Sequence, residues 1–292
     1  MRADMLWRMD DLPPFRLHEP APRRSGVIFA SPHSGRWWPA GIRAASPLGL
    51  RVLRSSEDAF VGHLILPAHR LGATVMTARV ARGVVDLNRA ADELDPALIE
   101  GLAPARLNGR VAAGLGVIPR VVARGRVILR GKITLAEAEA RLAAVWHPYH
   151  AALAALIDRT QADCGQTVLI DVHSMPHDAC ASLTRPRPEI VLGDRFGRSA
   201  DAWVTDAVAA AFLAEGFVTR RNTPFAGAYV LDRHSAPDRG RHAIQIEIDR
   251  ALYMDEATLR PLPGYPAFRD RLARVWARLA MLVPGVGRLA AE

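Results

Sequence analysis

Residues Thr167 to Pro176 read TVLIDVHSMP. A run of β-branched and aliphatic residues builds a strand as far as Asp171 and Val172, then stops at His173, Ser174 and a proline. One histidine at the end of a buried strand is most simply a side chain bonded to a neighbouring carbonyl. The chain repeats the pattern, however, in GVIFASPHSG, where Gly26 to Ala30 read as a buried strand and Ser31 to Gly35 as its exit loop. In open α/β folds the exit loops of parallel strands line a common crevice at the carboxyl ends of the strands. Two imidazoles delivered there, joined by a carboxylate, make a three-ligand metal site with one position left for water.

Working outward from that stretch, the chain has 292 residues, half of them hydrophobic, enough for a substantial core without staples. Cys164 and Cys180 have neither metal-type nor disulfide-framework spacing, which suits a reducing compartment. The first twenty residues mix acids and prolines among their apolar residues and lack the apolar core of a signal peptide or membrane span, so the expected location is the cytoplasm. The formal charge of +8 raises the alternative of an arginine-rich nucleic-acid binder. Against it, the arginines are scattered from Arg2 to Arg288, Lys132 is the only lysine, and aromatic residues for base stacking are few. A positive field equally favours a small anionic substrate.

Residues 1–25 read as a proline-rich leader and 26–292 as one domain, with no internal repeat or linker. After the His33 loop, SSEDAFVGHLILPAHRLG has the apolar spacing of a helix starting behind Ser55 or Ser56, with Glu57 and Asp58 at its N-terminus. ATVMTARVARGVVDLNR gives two short extended runs, Ala73 to Thr77 and Val84 to Leu87. A mobile or accessory region rich in glycine, proline and arginine follows from Ala90 to Lys132. A long helix is expected from Thr134, as N-cap with Glu137 placed for a capping box, to just before Gly165, with Pro148 absorbed as a kink or break. Beyond the His173 strand come a short strand EIVLGD, the helix SADAWVTDAVAAAFLAEG, the strand HAIQIEID and a last amphipathic helix from about Tyr265 to Leu282. Strands interleaved with helices argue for an α/β sandwich.

Two further stretches carry candidate chemistry. In HAIQIEID, alternation puts Ile244, Ile246 and Ile248 on one face and Gln245, Glu247 and Asp249 on the other. The simplest meaning is a strand with a wet polar face; a catalytic role requires that face to look into the crevice of His33 and His173. In VVDLNR, Asp86 or Asn88 caps a local turn with Arg89 solvated, or else Asn88 and Arg89 form a carboxylate clamp from an amide and a planar guanidinium.

The ordered series SPHSG, SSEDAFV, ARGVVDLNR, WHPYH, DVHSMP, IVLGDRFG, PFAGAY and HAIQIEIDRALYMDE resembles the N-formylglutamate amidohydrolase family from about Val27 to Glu256. The resemblance implies a three-layer α/β/α sandwich with a mixed central sheet, of the zinc-carboxypeptidase-like hydrolases. It implies His33 and His173 as ligands of a zinc ion, or another divalent metal, with Asp58 as the third ligand and Glu57 as the alternative. It further implies Glu247 as general base, Arg82 as the carbonyl-polarising arginine, and Asn88 and Arg89 at a substrate carboxylate. Asp171, two residues before His173, is either that histidine's second partner or a buried structural acid. The implied activity is hydrolysis of the N-formyl amide of N-formyl-L-glutamate, or of another small anionic N-acyl amino acid or peptide by the same mechanism. PFAGAY with Ala228, Gly62, and the paired Trp37 and Trp38 beside the His33 loop depart from the pattern of most relatives.

Overall fold

The structure, a computed structural model, describes residues 13–102, 108–183 and 185–285. By Cα proximity the described residues divide into two compact units, one of residues 13–16, 32–57, 78–102 and 108–152 and one of 17–31, 58–77, 153–183 and 185–285. The strands among the described residues, in chain order, are β1 (Phe15–His18), β2 (Val27–Ser31), β3 (Thr74–Ala78), β4 (Val121–Val122), β5 (Arg126–Val127), β6 (Thr167–Met175), β7 (Ile190–Gly193), β8 (Thr219–Arg221), β9 (Arg241–Asp249), β10 (Met254–Asp255) and β11 (Arg260–Pro261). Seven of them form one mixed sheet in the order β1-β3-β2-β6-β9-β7-β8. β2 runs parallel to β3 and β6, β6 parallel to β9, and β7 antiparallel to β9. The fold is therefore α/β, a mixed sheet flanked by helices, as the alternation of elements requires. The expected leader includes β1, an edge strand of the sheet; its first twelve residues lie outside the described ones.

The parity of the central strands decides what each face does. Val168, Ile170 and Val172 of β6 and Ile244, Ile246 and Ile248 of β9 enter one core with Phe29 of β2. Helices Val61–Ile65, Ala202–Leu213 and Tyr265–Ala280 close this face through residues such as Leu64, Phe212 and Trp276. The Trp276 ring packs edge-on against Phe29 at 5.4 Å, and its indole N–H donates to the Leu64 carbonyl at 2.7 Å, so a large apolar residue is buried without orphaning its donor. Because successive side chains point to opposite faces, Asp171 and His173 of β6 and Gln245 and Glu247 of β9 share the other face. The strands are in register there, Asp171 beside Gln245 and His173 beside Glu247.

Two sequence expectations are changed, and a third, the long helix, is met apart from its capping box. The helix expected behind Ser55 starts at Val61, after a short 3-10 turn at Arg54–Ser56 and a left-handed Phe60. Glu57 and Asp58 lie in the turn before it, where both carboxylates are buried and taken up by side-chain partners. Val84 to Leu87 forms no strand: Val84 and Leu87 lie in turns, with irregular backbone at Val85 and Asp86 between them. The long helix runs from Leu135 to Cys164, with Thr134 accepting the Glu137 N–H at 3.1 Å. It takes Pro148 through a wide π turn, Leu142–Trp146, in which the His147 N–H reaches back to the Leu142 carbonyl. Glu137 completes only half a capping box, since its carboxylate pairs with Arg141. Among the described residues no helix is long and apolar enough to cross a membrane.

Candidate metal centre

The exit of β6 builds the first half of the centre. His173 Nε2 bonds Asp171 Oδ2 at 2.9 Å, the pair lying two residues apart on one face of the strand. Its Nδ1 faces Asp58 Oδ2 at 3.1 Å. All three side chains are essentially excluded from solvent. Burial alone would lower the His173 pKa, but the carboxylates of Asp171, Asp58 and Glu247 outweigh it and hold the imidazole well above its ordinary range. Asp171 Oδ1 is buried with no hydrogen-bond partner. That oxygen belongs to the carboxylate on the Nε2 side of the ring; on the Nδ1 side, where His173 faces Asp58, the gathering of buried acids around one imidazole suits a cation. On the neighbouring strand Glu247 is 8% exposed, and the Gln245 amide donates to its Oε1 at 2.9 Å. The polar face of HAIQIEID is thus buried. Asp249, at its end, accepts from His177 at 2.7 Å.

The SPHSG loop supplies the second half. His33 Nε2–H donates to Asp86 Oδ1 at 2.7 Å, and Arg82 Nη2 donates to Asp86 Oδ2 at 2.7 Å. Burial would raise the Asp86 pKa, but Arg82, His33 and Arg89 together hold it well below the usual carboxylate range. Gly35 is required by close approach: a Cβ there would lie 2.0 Å from the Val80 carbonyl oxygen. Glu57 is engaged elsewhere, accepting from Trp38 Nε1 at 3.1 Å and Arg54 Nε at 2.8 Å, so the second tryptophan of GRWWPA closes off that acid. Burial raises its pKa despite the nearby Arg54.

The turn after Asp86 is tied down from the long helix. Trp146 Nε1 donates to the Arg89 carbonyl at 2.9 Å and His150 Nε2 to the Leu87 carbonyl at 3.0 Å, from positions four residues apart. Asn88 N–H donates to Asp86 Oδ1, and Arg89, 8% exposed, donates from Nε to the Leu115 carbonyl and from Nη1 to the Asn88 carbonyl. Arg89 is therefore buried and partly structural, not solvated.

One ligand atom from each of His33, Asp58 and His173 falls within 4.8 Å of the others. Two imidazoles and a carboxylate are the donor set of a zinc site with an open position, and each imidazole has its other nitrogen on a carboxylate, which fixes the ring and its tautomer. Residues 25–254 match the family described as N-formylglutamate amidohydrolase. The chain belongs to the N-formylglutamate amidohydrolase family. It is 31% identical over 238 residues to an N-formylglutamate deformylase of Pseudomonas aeruginosa, covering 80% of this chain and 84% of the relative. It is 26% identical over 236 residues to an N-formylglutamate deformylase of Pseudomonas putida, covering 80% and 83%. The crystal structure of an N-formylglutamate amidohydrolase from Ralstonia eutropha JMP134 superposes with a TM-score of 0.86 at 32% identity, covering 93% of this chain and 99% of the other.

Within this N-formylglutamate amidohydrolase fold, three contributors escaped sequence reasoning. Asp86 does cap its turn, accepting the Asn88 N–H at 2.9 Å, but it also bonds His33 and Arg82, and an acid inside the apolar run VVDLN is itself a sign of such buried partners. Gln245 shares a face whose alternation alone reads equally as wet or as turned into the crevice, so nothing local singles it out. Arg250, placed directly after β9, is 5% exposed and donates to Asp58 Oδ1 at 3.1 Å and Ser174 Oγ at 3.0 Å. A charged residue next to a strand terminus is too common a pattern to have marked it.

Proposed function

We propose that this protein is a metal-dependent amidohydrolase that cleaves the N-formyl amide of N-formyl-L-glutamate to formate and glutamate. The observation that carries the reading is the convergence of His33, Asp58 and His173 donor atoms within 4.8 Å. Family membership and the deformylase relatives supply the substrate class. His33, Asp58 and His173 would hold the ion, zinc being the divalent metal that best suits this donor set. When bound, such an ion acidifies a water and polarises the scissile carbonyl.

Glu247 would act as general base. It stands beside His173 in the β6–β9 register, on strands about 4.8 Å apart, and its side chain shares the face of Asp171 and His173. Gln245 donates to Oε1, and the carboxylate would take a proton from the attacking water and deliver it to the departing amine nitrogen. Arg82, held by Asp86, would donate to the oxygen that gains charge as the carbonyl is attacked. Asn88 and Arg89 would bind a substrate carboxylate; Arg89 donates from Nε and Nη1 to carbonyls, so the ligand would take Nη2. Asp171 and Asp86 orient the two histidines.

The test is metal analysis of the purified protein together with formate release from N-formyl-L-glutamate, before and after chelation. Formate release that needs the metal and falls sharply when N-acetyl-L-glutamate replaces the formyl compound supports the assignment. Equal turnover of both moves the substrate to N-acyl amino acids at large, and a protein that neither binds metal nor releases formate refutes it.

A further inference from the structure

Arg250 is a buried cation with no place in the reaction as set out above. Its Nε donates to Ser174 Oγ at 3.0 Å, and its Nη2 donates to Asp58 Oδ1 at 3.1 Å and to the Ser174 carbonyl at 3.4 Å. Ser174 Oγ in turn donates to Asp58 Oδ1 at 3.1 Å. The three side chains form a closed triangle, all of them at least nine-tenths buried. The two oxygens of Asp58 are thereby made unequal. Oδ1 accepts from the Ser174 hydroxyl and from the Arg250 guanidinium, while Oδ2 is turned to His173 Nδ1 at 3.1 Å. A buried guanidinium gives a carboxylate a fixed orientation as well as charge, because its donors lie in a rigid plane.

We propose that Arg250, together with Ser174, is a positioning residue that makes Asp58 a one-oxygen ligand. It holds Oδ1 out of the coordination sphere and presents Oδ2 beside His173. Arg250 follows β9 by one residue and Glu247 by three, and Ser174 follows His173 directly. The same triangle therefore locks the Asp58 turn to the strand exits that carry the histidine and the base. A carboxylate free to rotate would also offer both oxygens, raising the coordination number and taking the position needed for water. The inference rests on the reading of Asp58 as a metal ligand.

The experiment uses the full chain stripped of metal. Zn2+ affinity is measured by competition with a chromophoric chelator, the visible spectrum is recorded after Co2+ loading, and melting reports folding. Arg250→Met should weaken Zn2+ binding by about 10- to 100-fold, the usual effect of removing a partner of a metal ligand, and should shift the Co2+ bands. Ser174→Ala should do the same to a smaller extent, roughly fivefold for one hydrogen bond. Arg250→Lys, keeping charge but not the planar pair of donors, should fall between Arg250→Met and the unaltered protein. An arginine with a merely structural role would lower the melting temperature and leave affinity and Co2+ spectrum of the folded protein unchanged, and that result overturns the proposal. Where Arg250→Met fails to fold, Ser174→Ala decides on the same two readouts. Asp58→Asn separates the two levels of inference. Zn2+ binding that survives it removes Asp58 from the site and the clamp with it, whereas binding lost in Asp58→Asn but unaltered in Arg250→Met and Ser174→Ala refutes the clamp alone.

Discussion

Asp171→Asn perturbs one contact of the centre without changing its shape. The substitution removes the charge that bonds His173 Nε2 at 2.9 Å and leaves an amide oxygen able to accept the same N–H. Loss of such a partner weakens metal binding by about 10- to 100-fold, or roughly 1.4 to 2.8 kcal/mol. The structure adds a pH dependence of definite sign. Without metal, burial lowers the His173 pKa, and Asp171, Asp58 and Glu247 override it, so His173 holds its second proton well above the ordinary range. Metal binding must displace that proton from Nδ1. In Asp171→Asn the strongest of the raising carboxylates is gone, His173 titrates lower, and proton competition weakens. Part of the lost affinity is therefore recovered at low pH. The gap between the two proteins should widen as pH rises, until His173 is neutral in both. Chelator competition from about pH 6 to about pH 9, across the histidine range, measures that gap, and calorimetry in buffers of different ionisation enthalpy counts the protons released. An affinity ratio that narrows with pH, or an unchanged proton count, refutes the assignment of Asp171 as the partner that charges His173.

Glu247→Gln keeps the side chain's shape and removes the base; turnover should fall by ~100-fold or more while metal content is retained, and undiminished turnover returns Glu247 to a structural role. Arg89→Lys keeps the charge but loses the planar donors, so its penalty on N-formylglutamate should largely vanish with a substrate whose contacted carboxylate is an amide; equal penalties on both show that the turn alone was damaged. Burial pushes His234 from 6.5 down to about 4, so the folded protein keeps it neutral while the unfolded chain takes up a proton. Stability is then complete above the unfolded pKa and declines as pH falls through the interval to about 4, by up to roughly 3 kcal/mol at about 1.4 kcal/mol per unit. His234→Gln should flatten that portion of the stability curve in denaturant titrations, and identical slopes in the two proteins exclude His234 as the cause.

What the sequence displayed clearly was what local pattern controls. The apolar run ending in His173, the SPHSG exit loop and the alternation of HAIQIEID each state a strand, its exit and its parity within ten residues. Asp171 was legible as one of two readings, a partner of His173 or a buried structural acid, since residues two apart on a strand share a face, and the 2.9 Å bond to Nε2 selects the first. Partners distant in the chain left no such mark. Asp86 lies 53 residues from His33, and the carbonyls that fix its turn are bonded by Trp146 and His150, 57 and 63 residues away. Read alone, Val84 to Leu87 looks extended because its apolar residues are buried. It forms no strand because Asp86 must meet both His33 and Arg82. The helix after Ser56 is delayed for a similar reason: a first helical turn at Glu57 and Asp58 would have to give up Trp38, Arg54, Ser174 and Arg250.

The wet-strand and buried-base readings of HAIQIEID predict the same residues on the same face, so no property of the stretch itself separates them. Register does. β6 and β9 pair over nine residues, and the core side is fixed by Val168, Ile170 and Val172 against Ile244, Ile246 and Ile248. A slip of one residue would turn those isoleucines out of the core and carry Glu247 into it, so the packing of the apolar face specifies the position of the acid on the other. β7 enforces the same arrangement from the far side. Val191 pairs with Glu247 and Gly193 with Gln245. A Cβ on Gly193 would meet the backbone of Ala226 at 2.6 Å, and by alternation with Leu192 it would point to the acid's side of the sheet. The PFAGAY loop therefore lies against that face beside Gln245, which is why a strand so polar on one side is buried on both.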